Sequence, residues 1–407
     1  MTTCRACKSG NLFMFLPLGD HPPANAFLTA AQRDKPQPVF PLNTQVCLDC
    51  ALVEVADQLP ADFFREYVYI PSAADTMHSH FHALARTFRE RFITAPGQRV
   101  VDIGCNDGLL LAACKGEGLA TLGVEPAKNI AAIARTKGIE VVNEYFTADS
   151  ARSLREDYGE AQVIVTTNTF NHIDDLHGFM KGVDVLLAPG GTMVIEVPQA
   201  LTYVEQNEFD TIYHEHLSVF SVASLVALGR FFSLQVVDVE ALPIHGGSMR
   251  VFLQRRSGGT GETPATQAWL DRERAAGLHK RQTYVDFADR VERIKTDLMT
   301  LLVGLKRQGK TLAGYGAPAK GNTLLNYYGI GPELLDFLAD RNPLKQGLYS
   351  PGMKIPVVPA EQVLKAMPDY LLILPWNFGD EVMQQQEQYR KRGGKFILPI
   401  PEPRVVE

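Results

Sequence analysis

The spacing of apolar positions changes several times along this 407-residue chain, and each change marks a different kind of element. Residues 1 to about 75 hold few long apolar runs and are interrupted by His21-Pro22-Pro23 and by prolines at 36, 38 and 41. A loop-rich module with little core of its own is predicted there, and such a module needs a staple. From about 78 to 94 the pattern HSHFHALARTFRERF reads as a helix, which Pro96-Gly97 stops. Between 98 and 200 short β-rich runs alternate with helical ones. RVVDIG precedes LLLAACKGEG, ATLGVEP precedes KNIAAIARTKG, and VIVTTN precedes GFMKGVDVLLAPGG and then TMVIEVP. This alternation predicts a doubly wound α/β sheet, with the apolar runs at 234–242 and 249–255 as its last strands. The small, polar segment 256–266 reads as a linker, and 267–308 as one long charged helix. A second strand–helix alternation follows through GYGAPAKGNTLLNYY, LLDFLAD, DYLLILPW and KFILPIP. Three modules are predicted: 1–75, 76–255 and 256–407.

Composition narrows the class without naming a reaction. Hydrophobic residues at 45% and charged residues at 21% are ordinary for a globular protein, which excludes wholesale disorder. The formal charge is −6 and no long basic run appears, so a nucleic-acid polymer is a disfavoured partner. The segment MTTCRACKSG has no signal-peptide core, and no run approaches a membrane span; a cytoplasmic protein with no membrane partner is expected.

Chemistry concentrates in a few motifs. Cys4-x2-Cys7 and Cys47-x2-Cys50 are two knuckles that together complete a tetrahedral thiolate site for a structural zinc ion. Four unrelated cysteines are the bland alternative. Asp102-Ile103-Gly104-Cys105-Asn106-Asp107-Gly108 follows a strand and opens a helix, where Gly104 and Gly108 let a ligand approach the backbone. Glu125, ending the next strand, can accept from two ribose hydroxyls. A nicotinamide dinucleotide is the alternative ligand, but Asn106 stands where GxGxxG would have its middle glycine. Asn168, Asn171 and His172 follow the strand VIVTTN and are expected to face the crevice at its carboxyl end. Tyr213-His214-Glu215-His216 packs a phenol, a carboxylate and two imidazoles into four residues, an inventory for proton transfer near neutral pH. A metal site on His214 and His216 is the weaker reading.

DIGCNDG, Glu125 and the later LLAPGGTMVIEVP resemble the class I S-adenosylmethionine-dependent methyltransferases. The resemblance narrows over nearly the whole chain to sugar C-methyltransferases that act on nucleotide-linked deoxysugars. It is carried by the CxxC pairs with HPPANAF between them, DIGCNDG, NHI, EFDTIYHEHLSVFS, HGGSMRV and GYGAPAKGNTLLNY. It implies an α/β chain with an N-terminal zinc-binding module, a central class I methyltransferase Rossmann-like domain and a C-terminal Rossmann-like domain. The implied methyl donor is S-adenosylmethionine, held by Asp102, Gly104, Asn106, Gly108, Glu125 and Asn168, with zinc as a structural ion. The implied base is His216, with Tyr213, Glu215, His172 and Tyr67 beside it, removing the C3 proton of a nucleoside-diphosphate 4-keto-6-deoxysugar. His245, Ser248, Arg250 and Lys320 are expected to anchor the nucleotide sugar; the turn before Lys320 equally suits plain packing. An O- or N-methyltransferase, or a zinc-bearing binding protein without turnover, are the rival functions. A monomer of several domains is compatible with the sequence.

Overall fold

The computed structural model describes residues 3–57, 75–244, 246–256 and 261–407. Three sheets organise them. The first has the order β1 (Leu12–His21), β2 (Phe40–Cys47), β3 (Val53–Val55) and, at its edge, β9 (Ser218–Val219), all antiparallel. The prediction of a loop-rich first module is corrected here. LFMFLPL is apolar at almost every position, so it shows no alternation to betray a strand. The reason lies in its partners: Phe15 packs on Tyr284, with ring centroids 4.9 Å apart, and on Phe287 at 5.9 Å, both from a helix far along the chain.

The second sheet comprises β4 (Arg99–Ile103), β5 (Ala120–Val124), β6 (Val141–Val142), β7 (Ala161–Thr167), β8 (Leu187–Pro198), β10 (Leu234–Leu242) and β11 (Ser248–Arg255). Its order is β10-β11-β8-β7-β4-β5-β6, with β4 to β8 parallel and β11 antiparallel to both neighbours. The chain runs outward from β4 to β6 on one side, then returns to β7 on the other. The strand ends of β4 and β7 therefore flank a topological switch point, where open α/β sheets leave a crevice. The helix Asp75–Arg91 covers one face through Phe81, Leu84 and Phe88, packed with Val100, Val163 and Phe252.

The third sheet, β12 (Leu312–Tyr315), β13 (Leu338–Asp340), β14 (Val357–Pro359), β15 (Tyr370–Ile373), β16 (Lys395–Leu398) and β17 (Arg404–Val406), has the order β14-β13-β12-β15-β16-β17 and is parallel except for β17.

The single helix expected over 267–308 is two, Pro264–Ala275 and Arg281–Arg307, separated at Gly277 with φ +76°. A left-handed residue ends the first helix, and glycine takes that conformation at no steric cost. The two halves serve different modules. The first lies on the second sheet: Thr266 Oγ1 donates to Val236 O at 2.8 Å, and the buried Glu273 accepts from the backbone N–H groups of Val222 and Ala223 at 2.6 and 3.0 Å. A carboxylate there meets the unpaired N–H groups and positive dipole end of the helix Val222–Arg230. The second half buries Tyr284, Phe287, Val291, Ile294, Leu298, Leu302 and Leu305 along one stripe, in a core shared with β1 and the third sheet. Among the described residues no helix is long and apolar enough to cross a membrane.

Candidate active site

The loop after β4 turns sharply because Gly104 and Gly108 take φ of +73° and +77°. At Gly104 a Cβ would lie 2.3 Å from Thr169 Oγ1, so only glycine lets the segment after β7 approach this close. Glu125, at the end of β5, is buried and reaches back across the loop. It accepts from the backbone N–H of Asn106 at 3.0 Å and of Ala127 at 2.9 Å, while burial pushes its carboxyl upward. Asp102 is also buried, and its Oδ1 has no hydrogen-bond partner. Burial, followed by the Glu125 and Glu196 charges, pushes its carboxyl up to about 8. Asn168 takes φ +51° and donates its backbone N–H to Glu196 O at 2.8 Å, which joins β7 and β8 at their carboxyl ends. Asn171 is buried with both amide atoms unpartnered.

Beside this crevice, Tyr213 to His216 form a tight turn closed by His216 N–H on Tyr213 O at 2.8 Å. The His216 ring stacks on Tyr213 at 4.0 Å and meets His172 edge-on at 4.7 Å. Its Nδ1 lies 3.0 Å from Thr211 O. A carbonyl can only accept, so Nδ1 carries the proton and Nε2 is the basic nitrogen of the neutral ring. His172 hydrogen-bonds to the main chain at Glu215 and Asn168, and burial holds it neutral, down to about 4. Glu215 is buried and accepts from Asn25 Nδ2 on both oxygens, at 2.9 and 3.0 Å. His214 turns away, with Nε2 on the carbonyls of Phe40 and Pro41 at 3.2 Å each. The two imidazoles of the HEH run thus serve different carbonyls and do not converge on a metal.

Other expectations are revised by position. Ser248 donates to Ile244 O at 3.2 Å and is buried in β11. Arg250 sits directly opposite Glu196 on β8 and Glu240 on β10, and it pairs with both at 2.9 Å. Both side chains are thus engaged within the fold, Ser248 by a main-chain carbonyl and Arg250 by two carboxylates of the neighbouring strands. Lys320 lies 5.3 Å over the Trp376 ring and faces the buried Glu208 and Asp210, which it pulls down against burial. The turn before it is filled from within. Ala317 N–H donates to Asp340 Oδ2 at 2.7 Å, and a Cβ on Gly316 would meet Pro375 Cδ at 2.6 Å. These contacts favour the packing reading of GYGAPAKG over a diphosphate cradle. Tyr67 and His245 lie outside the described residues. Asn25, Thr211 and Glu196 were not singled out from sequence; for Asn25 the available signal was its place within HPPANAF.

The chain matches three family profiles in series: a zinc binding domain over residues 4–64, a methyltransferase domain over 77–239, and the C-methyltransferase C-terminal domain over 243–401. C-methyltransferase NovU of Streptomyces niveus is 37% identical over 404 residues, 99% of this chain and 96% of that protein. The chain belongs to this C-methyltransferase family. Similarity to a ubiquinone biosynthesis O-methyltransferase of Caulobacter sp. (strain K31) is 34% over 119 residues, 28% of this chain and 46% of that protein. Among solved structures, a SAM dependent methyltransferase from Archaeoglobus fulgidus gives a TM-score of 0.35 at 17% identity, over 49% of this chain and 88% of that one. One from Clostridium acetobutylicum gives 0.35 at 12%, over 46% and 94%. Scores this low carry no further weight.

The crevice of this C-methyltransferase fits S-adenosylmethionine. The donor brings positive charge and ribose hydroxyls, and the buried, unpartnered Asp102 Oδ1 and the Glu125 carboxylate are acceptors suited to them. The four cysteine sulfurs likewise fit zinc. All lie within 4.8 Å of one another, with Cys4 to Cys50 at 3.6 Å and Cys7 to Cys47 at 3.5 Å. A tetrahedron with bonds of about 2.3 Å has edges of about 3.8 Å. Four protein ligands leave no open position, which makes the ion structural.

Proposed function

We propose that this C-methyltransferase alkylates C3 of a nucleoside-diphosphate 4-keto-6-deoxysugar through an enolate. The observation that carries the reading is the setting of His216. Its Nδ1 is bound to Thr211 O, which makes Nε2 the basic nitrogen of the neutral ring, and Tyr213 and His172 flank the ring beside the strand ends that hold the cofactor loop. A carbon nucleophile exists only after a proton leaves, and a 4-keto group acidifies the neighbouring C3 hydrogen. His216 Nε2 takes that proton. The protonated ring then keeps its Nδ1–H on Thr211 O, so the charged state costs no reorganisation. Tyr213 is the nearby donor for the enolate oxygen, while the N–H of the neutral His172 is committed to the main chain and holds that ring beside His216. S-adenosylmethionine supplies an electrophilic methyl group when bound, and positioning of the two reactants provides much of the acceleration.

The test is exchange. In heavy water, without methyl donor, a suitable keto sugar nucleotide should lose its C3 hydrogen to solvent in the presence of the enzyme, and His216→Asn should stop this. Exchange that persists in the variant removes His216 as base. A product methylated on oxygen or nitrogen overturns the carbon-alkylation reading and leaves a methyltransferase of another acceptor.

A further inference from the structure

The zinc module reaches the catalytic loop. β1 and β2 form a hairpin with the four cysteines at one end, since Leu12 pairs with Cys47 and Cys4 and Cys7 just precede β1. At the other end His21 pairs with Phe40, and the intervening residues 22–39 form a loop. Nine residue steps of strand separate those ends by about 30 Å. Asn25 stands in that loop and is held from both sides. The carbonyl before it, Ala24 O, accepts from the buried Asn322 amide of the third domain at 2.8 Å. The carbonyl after it, Ala26 O, accepts from Gln37 Nε2 at 2.8 Å, and Gln37 in turn accepts from Gly352 N–H at 2.9 Å. Its own carbonyl accepts from Phe27 N–H at 2.9 Å, and Leu28 exchanges two backbone bonds with Tyr349 at 3.0 and 2.8 Å. With the backbone so constrained, the Asn25 amide nitrogen meets both oxygens of Glu215, 190 residues away, at 2.9 and 3.0 Å.

We infer that Asn25 is a positioning residue of the active site, holding the Glu215 carboxylate in register beside His216, and that the zinc-stapled hairpin exists to deliver it. The inference rests on the proposed role of the Tyr213–His216 turn and adds to it a residue from a different module. A carboxylate on the residue before the base can counter the charge the base acquires, and a carboxyl that holds a proton cannot. Burial raises the Glu215 carboxyl to about 7, while the Asn25 amide and the Lys345 ammonium pull it down. Of the nearby imidazoles, His172 is bonded to the Glu215 main chain, and His214 and His216 are its chain neighbours. Lys345 is itself committed: its ammonium donates to Ala317 O at 2.9 Å and lies 5.3 Å over the Phe27 ring. Asn25 is thus the described side chain that donates directly to Glu215.

The full-length, zinc-loaded enzyme tests this with Asn25→Ala and the near-isosteric Asn25→Asp. Infrared difference spectra against Glu215→Gln, with carboxyl-labelled glutamate, titrate Glu215 without any need for turnover. In N25A that titration should move upward by about one pH unit, and in N25D further, because two carboxylates then share one site. The acid limb of the kcat profile should move with it. At neutral pH kcat should fall about tenfold or more, with KM for S-adenosylmethionine within about twofold of the parent. Zinc content should match the parent, and so should the thermal midpoint at pH 5, where Glu215 holds a proton in parent and variants alike; near neutral pH the raised titration itself lowers the midpoint by a few degrees. Unchanged Glu215 titration in both variants would overturn the inference. So would a kcat loss that tracks lost zinc or a midpoint lowered at pH 5. If instead His216→Asn keeps exchanging the C3 hydrogen, the base assignment fails while the titration result stands on its own.

Discussion

Replacing Arg250 by methionine separates a structural role from a substrate-binding one. Its partner Glu196 is fully buried and is held by three contacts: Arg250 Nε at 3.0 Å, Arg250 Nη2 at 2.9 Å and His80 Nε2 at 2.6 Å. The Arg250 to Glu240 pair is a third exposed on the Glu240 side and contributes about 0–1 kcal/mol. Removal of Arg250 leaves Glu196 a buried carboxylate with His80 alone, and loss of one partner of a buried pair costs about 3–5 kcal/mol. The pH dependence has a definite sign. In the parent, His80 and Arg250 together hold the Glu196 carboxyl below the ordinary carboxylate range against its burial. Its stabilisation is present above that range and is lost as pH falls through the depressed value. In R250M the carboxyl rises, so the deficit is largest near pH 7 and shrinks toward pH 5 as Glu196 takes a proton. Denaturant unfolding is followed by Trp269, whose indole donates to Val239 O of β10 at 3.3 Å. A Trp376→Phe background leaves Trp269 as the single tryptophan of the chain, and Glu196→Gln added to R250M should recover much of the loss. The reasoning is refuted if R250M unfolds within about 0.5 kcal/mol of its parent and instead raises KM for the proposed sugar nucleotide about tenfold.

Metal analysis should find one zinc per chain, and Cys47→Ser should release it with loss of cooperative melting, since the thiolates close the knuckle end of the β1–β2 hairpin. Gly104→Ala should weaken S-adenosylmethionine binding about tenfold or more by calorimetry, because the added Cβ would sit 2.3 Å from Thr169 Oγ1 at positive φ; affinity equal to the parent's would show that the loop yields there. Lys320→Met should destabilise with KM for the proposed sugar nucleotide unchanged. Burial raises Glu208 to about 7 and Asp210 to about 6, so their contribution to folding is full below the ordinary carboxylate range and declines as pH rises through those values. Loss of the Lys320 charge should deepen that decline, and denaturant midpoints at pH 5 and pH 7.5 would measure it.

Much of this enzyme is written in short-range spacing. CxxC knuckles, the glycine turn after β4, the carboxylate ending β5, and the Tyr213–His216 run each occupy a handful of neighbouring residues whose geometry follows from local backbone rules. Those were legible, as was the strand–helix alternation of both Rossmann-like units. The first sheet was not. Its longest strand opens with an apolar run that does not alternate, with Phe15 packed on the distant Tyr284 and Phe287, and its edge strand is Ser218–Val219. Arg250 shows the same limit more sharply. A sequence offers it as a free cation, whereas pairing places it opposite Glu196 and Glu240, and register alone decides which side chains meet across a sheet.

Local order along the chain thus determined what groups are available: four thiolates, a glycine-lined crevice, an imidazole with a phenol and a carboxylate as near neighbours in sequence. Only the folded arrangement decided their use, since hydrogen bonds and ion pairs depend on ångström separations between residues distant in sequence. Asn25 and Glu215, Arg250 and Glu196, and Lys320 with its two buried acids are joined by packing between modules and by strand register. No spacing rule within a single segment encodes either.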